Sequence, residues 1–138
     1  MATELDRDEY GVIRHDREQG ILELEWLESS ATMTDDDFKR SMQRYAGLAA
    51  EHSTPYLLVD VTKFRHSMGE GVAAWRDAHI IPAYNRAGVK KFAFLLPAGA
   101  SGTVEEGKAP AEEPPGTFPT GYFTERRSVL EWFAERRS

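Results

Sequence analysis

Two short segments near the start of the chain, from Tyr10 to His15 and from Ile21 to Trp26, alternate apolar and polar residues with the period of a strand. Asp16-Arg17-Glu18-Gln19-Gly20 between them is charged and ends in glycine, so the pattern predicts a hairpin. In the second segment Leu22, Leu24 and Trp26 share one face, and Ile21, Glu23 and Glu25 share the other, which is expected to meet solvent. The period then changes to that of a helix. Phe38, Met42, Tyr45 and Ala49, with Leu48 beside them, form a stripe. Thr34 followed by Asp35-Asp36-Asp37 predicts the helix start, because a hydroxyl caps the first turn and the dipole favours carboxylates there. Pro55 predicts its end near His52-Ser53.

Tyr56 to Val61 is apolar on both faces, the mark of a central strand covered by helices on both sides, and Asp60 falls at its C-terminal end. After Thr62-Lys63-Phe64-Arg65-His66-Ser67, a helical stripe is predicted through Val72, Trp75, His79 and Pro82, with Ile80 and Tyr84 close to it. Pro82 should kink or divide that helix. Lys91 to Leu96 is a further buried strand stopped by Pro97. Tyr122-Phe123 forms a short edge strand, and Thr124-Glu125 opens a last helix with Val129, Leu130 and Phe133 inward. The stretch from Pro97 to Thr117 is rich in glycine, proline and glutamate, and reads as a flexible loop or flap within the domain. These elements predict an α/β fold: one domain over residues 1–138, with a mixed sheet of about five strands and packed helices.

Composition narrows the chemistry. The chain has 138 residues, 41% of them hydrophobic, enough for one core. It contains no cysteine, which removes disulfides, thiolate catalysis and cysteine-ligated metals. A net charge of −6, with basic residues only in short pairs such as Lys90-Lys91, Arg126-Arg127 and Arg136-Arg137, argues against a nucleic-acid partner. No run approaches the roughly 18 apolar residues of a membrane span, and Met1 to Asp8 is polar and acidic, so a soluble cytoplasmic protein is expected.

Several pieces resemble the SpoIIAA-like family, a bacterial branch related to the STAS domains of anti-sigma-factor antagonists and, by element order, to lipid-binding CRAL-TRIO domains. The pieces are Leu57-Leu58-Val59-Asp60, Trp75, Ala87-Gly88-Val89-Lys90-Lys91-Phe92-Ala93-Phe94, and Phe123-Thr124 leading to Leu130-Glu131-Trp132-Phe133. The resemblance spans most of the chain from Ile21 onward and implies a STAS-like topology. In the antagonists, a serine at the start of the helix after the third strand is phosphorylated by a partner kinase, and the added charge breaks the partner interface. Ser67, followed by Met68 and Gly69, matches that position, although His66 stands where the antagonists carry aspartate.

Asp60, His66, Ser67 and Gly69 are therefore the candidate partner-binding or phosphorylation residues. Phe64, Met68, Val72, Trp75 and His79 are candidates for an apolar ligand, placed near the C-terminal ends of the central strands where open α/β sheets hold ligands. Asp60, His66, Ser67 and His79 contain the components of an activated nucleophile, but no Gly-x-Ser-x-Gly turn exposes Ser67, and a capping serine with a loop-binding carboxylate accounts for the same residues. His79 on its stripe reads as a half-buried histidine satisfied by a neighbour. The four histidines lie on four different elements, so only convergence of distant residues could make a metal site, and consecutive carboxylates at Asp35-Asp36-Asp37 do not converge on one ion. No cofactor is implied. The leading expectation is a non-enzymatic regulatory or interaction domain that presents residues 64–72 to a protein partner. The alternative is a carrier of a small apolar ligand or lipid. An apolar hairpin edge and an exposed final turn would also suit a homodimer.

Overall fold

The computed structural model describes residues 2–66, 69, 71–97 and 119–134, with the backbone alone at Ala73. Ser67, Met68, residues 98–117 and the Arg136-Arg137 pair lie outside the described residues.

One mixed sheet holds β1 (Ala2–Arg7), β2 (Gly11–Asp16), β3 (Ile21–Trp26), β4 (Tyr56–Asp60), β5 (Lys91–Leu95) and β6 (Thr120–Phe123) in chain order. The pairs β1–β2 and β2–β3 are antiparallel, and β3 to β6 run parallel. A 3-10 helix (Glu28–Thr32) and α1 (Asp35–His52) link β3 to β4, while α2 (Val72–His79) and α3 (Ile81–Ala87) link β4 to β5. α4 (Arg126–Ala134) follows β6. The α/β class is as the pattern predicted, but there are six strands rather than about five.

The added strand is β1, whose residues are mostly charged or exposed, with only Leu5 packing on the core. It caps the hairpin on its outer side, so the apolar edge expected at β2 is paired rather than open. Glu4, Asp6, Arg7 and a register shift between Glu4 and Asp6 blunt the new edge against further pairing.

Local chemistry sets the helix ends. Thr34 accepts from the Asp37 N–H and the Asp37 carboxylate accepts from the Thr34 N–H, a reciprocal cap. Pro82 sits in the first turn of α3, where its missing N–H costs no internal bond, and this divides α2 from α3. The inward residues there are Val72, Ile80, Ile81 and Tyr84, whereas Trp75 is half-buried and His79 exposed. The division at Pro82 rotates the stripe, and His79 is not the half-buried histidine the spacing suggested.

Two cores flank the sheet. Ile13, Leu22, Leu24, Trp26, Leu57, Val59 and Phe92 pack under α1, α2 and α3. Ile21, Tyr56, Leu58, Ala93, Leu95 and Phe123 pack with Val129 and Phe133 of α4 on the opposite face. β4 is buried on both sides, as its composition required. The Tyr45 hydroxyl donates to Leu22 O at 2.6 Å and lies 3.1 Å from Leu58 O, which fastens α1 across two central strands. The Ile21, Glu23 and Glu25 face of β3 is not solvated: Ile21 and Glu23 are buried, because α4 closes over that side and brings Arg126 to Glu23.

No helix among the described residues is long and apolar enough to cross a membrane.

Candidate functional site

Beyond β4 the chain is tied down by three side chains from three different elements. Asp60, 7% exposed, accepts at Oδ1 from the Thr62 N–H (2.9 Å) and the Thr62 hydroxyl (2.6 Å), turning the chain out of the strand. The Ser30 hydroxyl oxygen, fully buried in the 3-10 helix, accepts from the Arg65 N–H at 2.8 Å. Asp35 at the start of α1 then holds two groups on one oxygen: Oδ1 lies 2.8 Å from His66 Nε2 and accepts from the Gly69 N–H at 3.1 Å.

Beneath these bonds lies a set of rings. Trp26 of β3 stacks on Phe38 of α1 with centroids 5.7 Å apart, and Phe64 meets Trp26 edge-on at 5.2 Å. The His66 ring stacks on Phe38 at 6.1 Å, and its side chain is nearly buried even though the flanking Arg65 is exposed. Backbone exposed at the tip thus rests on an aromatic floor. Gly71 is left-handed (φ 86°), a conformation that favours glycine, and its carbonyl accepts from the Trp75 N–H as α2 begins. Trp75 lies 5.7 Å from His79, with the Lys39 ammonium 5.5 Å from the Trp75 ring centre.

The Gly69 N–H, and after it His66, hold the Asp35 carboxyl below the ordinary aspartate range. Its folded value is the lower one, so its contribution to stability is present above the unfolded value and is lost as pH falls through the folded value. The Asp35 clasp therefore persists through neutral pH and opens only in acid.

The structure brings Phe64, His66 and Gly69 together through Asp35 and the ring floor, and sets Trp75 beside His79. Asp60 stands apart, on the α4 side of the sheet, where its Oδ2 is 3.9 Å from Arg126. A carboxylate and an imidazole that a hydrolytic set would join thus serve separate partners. Phe64 and Val72 pack into the core, and Val72 is only 2% exposed. Among the described residues no group of three or more His, Asp or Glu is arranged to hold a metal ion. Sequence reading missed Asp35 and Ser30 as loop anchors. They lie 31 and 35 residues from the groups they hold, and no spacing rule connects such positions.

Gly69 follows from the Asp35 contact. A Cβ there would collide with Asp35 Oδ2, so the carboxylate that holds His66 and the Gly69 N–H has to shift. Gly69→Ala is expected to cost about 1 kcal/mol, the net worth of a hydrogen bond or two. It should also raise amide exchange across residues 64–69 with α1 unchanged. Unaltered exchange in that loop would show that Asp35 does not hold it.

Comparisons with protein-family models, with curated proteins and with solved structures give no match to this chain.

Proposed function

We propose that this chain is a non-enzymatic regulatory or protein-interaction domain of SpoIIAA-like, STAS-like kind that presents residues 64–72 to a protein partner. The observation that supports this most is the clasp of Asp35 on His66 and Gly69 over the Trp26–Phe38–Phe64 floor. A loop fixed in advance lowers the ordering cost of association. Lys63, Arg65 and Gly69 are exposed, and the half-buried Trp75 with Lys39 over its ring offers an aromatic anchor beside a cation. A carrier of apolar ligands would first have to unpack Phe64 and Val72 from the core.

The test uses the protein's own host. Proteins retained by the wild-type chain and released by Arg65→Glu, but held by the distant control Glu4→Lys, would mark this surface. Ser67→Glu should release the same complex, and intact mass measurement of native protein should show phosphate mapping to Ser67 if the site is switched as in the antagonists. Retention of the same complex by wild type, Arg65→Glu and Ser67→Glu alike would overturn the reading.

A further inference from the structure

His15 and His52 belong to distant parts of the chain, and the fold brings them into ring contact. His15 shares the α1 face of β2 with Ile13, stands between Thr3 of β1 and Leu22 of β3, and is 8% exposed. His52 closes the last turn of α1 and keeps 26% of its side chain in solvent. Their ring centroids are 4.8 Å apart. Two neutral imidazoles pack comfortably at that distance. Two imidazolium ions repel, and burial of one of them weakens the screening that water would supply.

We infer that the His15–His52 pair is an acid-sensitive latch between β2 and the C-terminal end of α1, closed while at least one ring is neutral and released when both carry a proton. Burial, then His52 and then Arg17 hold the His15 imidazole below the ordinary histidine range, with Asp16 acting in the opposite sense. The surroundings can balance one added charge more readily than two. Glu51 of α1 lies 3.7 Å from His52 Nε2 and faces a proton there. The Asp16 carboxylate already accepts from the Gln19 N–H and side-chain amide, and Arg17 in the same turn adds a positive charge. Thr3 and Leu22, opposite His15 on the neighbouring strands, carry no charge.

The direction of the response follows from linkage. His15 binds a proton less tightly in the closed form than in the open one, so protons favour opening. The stability it contributes is whole above the unfolded value of about 6.5 and is lost as pH falls from there through the lowered folded value. At the other end of α1, the Asp35 clasp gives way only below the ordinary aspartate range. Mild acid therefore loosens the end of α1 from β2 and leaves its start, with the loop held there, in place.

The test is amide exchange of the full-length protein at about pH 7.5 and about pH 5, corrected for intrinsic exchange rates and read beside an NMR titration of the imidazoles. Acid should lower protection across residues 11–16 and 46–54 about tenfold more than across residues 64–69, and the His15 ring should titrate below the ordinary histidine range. His52→Gln, at a partly exposed position, should keep the fold, remove most of that difference and move the His15 titration upward. His79→Gln should leave both as in wild type. Equal loss of protection in the three segments, a difference undiminished in His52→Gln, or a His15 ring that titrates in the ordinary range would each overturn the latch.

Discussion

Trp26→Ala is expected to cost about 4 kcal/mol of folding stability, within the roughly 3–5 kcal/mol found for large aromatic residues truncated in cores. Trp26 is 2% exposed and stands where β3 meets the start of α1 and the loop after β4. Its removal strips the stack from Phe38 and the edge contact from Phe64 at once. Neither neighbour can fill the gap freely, since Phe38 belongs to a capped helix and Phe64 to a loop tied at Ser30 and Asp35. The loss should therefore appear twice: as a lower denaturation midpoint in urea, and as faster amide exchange across residues 64–69. Trp75→Ala, at a half-buried position, is expected to cost about 1–2 kcal/mol, because less apolar area leaves water there on folding. A Trp26→Ala cost no larger than that of Trp75→Ala would mean that the ring floor does not support the loop.

That contrast separates what the sequence could reveal from what it could not. Trp26 was legible as inward from its alternation with Leu22 and Leu24, and the start of α1 from Thr34 and the acidic residues after it, because both signals are local. The division at Pro82 was legible for the same reason. β1 was not, since an edge strand with one packed apolar residue has almost no amphipathic signature. The face carrying Glu23 was misread because alternation shows which residues point together and not what later covers them; α4 arrives about 100 residues downstream. The segment between β4 and α2 was legible from the strand and helix patterns that bound it, but its anchors, Asp35 and Ser30, had ordinary local explanations as a first-turn carboxylate and a turn hydroxyl.

The second large effect is expected at Arg126. Its guanidinium forks onto Glu23, with Nη1 2.7 Å from Oε1 and Nη2 on Oε2, and its Nη2 lies 3.9 Å from Asp60. Glu23 and Asp60 are each 7% exposed on the face that α4 covers, while the nearby Glu25 is already paired with Arg14 at 2.8 Å. Arg126→Ala would leave two buried carboxylates on adjacent strands without their cation. Breaking a fully buried pair costs roughly 3–5 kcal/mol, and solvent around the half-exposed Arg126 screens part of this, so a loss of about 2 kcal/mol is expected. Val129 and Phe133 still bury α4, so the helix should stay folded but lose amide protection in its first turn. Glu23→Gln in the Arg126→Ala background removes the stranded charge and should recover about half of the deficit, whereas in the wild-type background it removes a partner and should destabilise. That reversal of sign is the signature of a charge clasp. If Glu23→Gln instead destabilises both backgrounds equally, α4 is held by its apolar face alone, and Arg126 merely lies along the surface of the sheet.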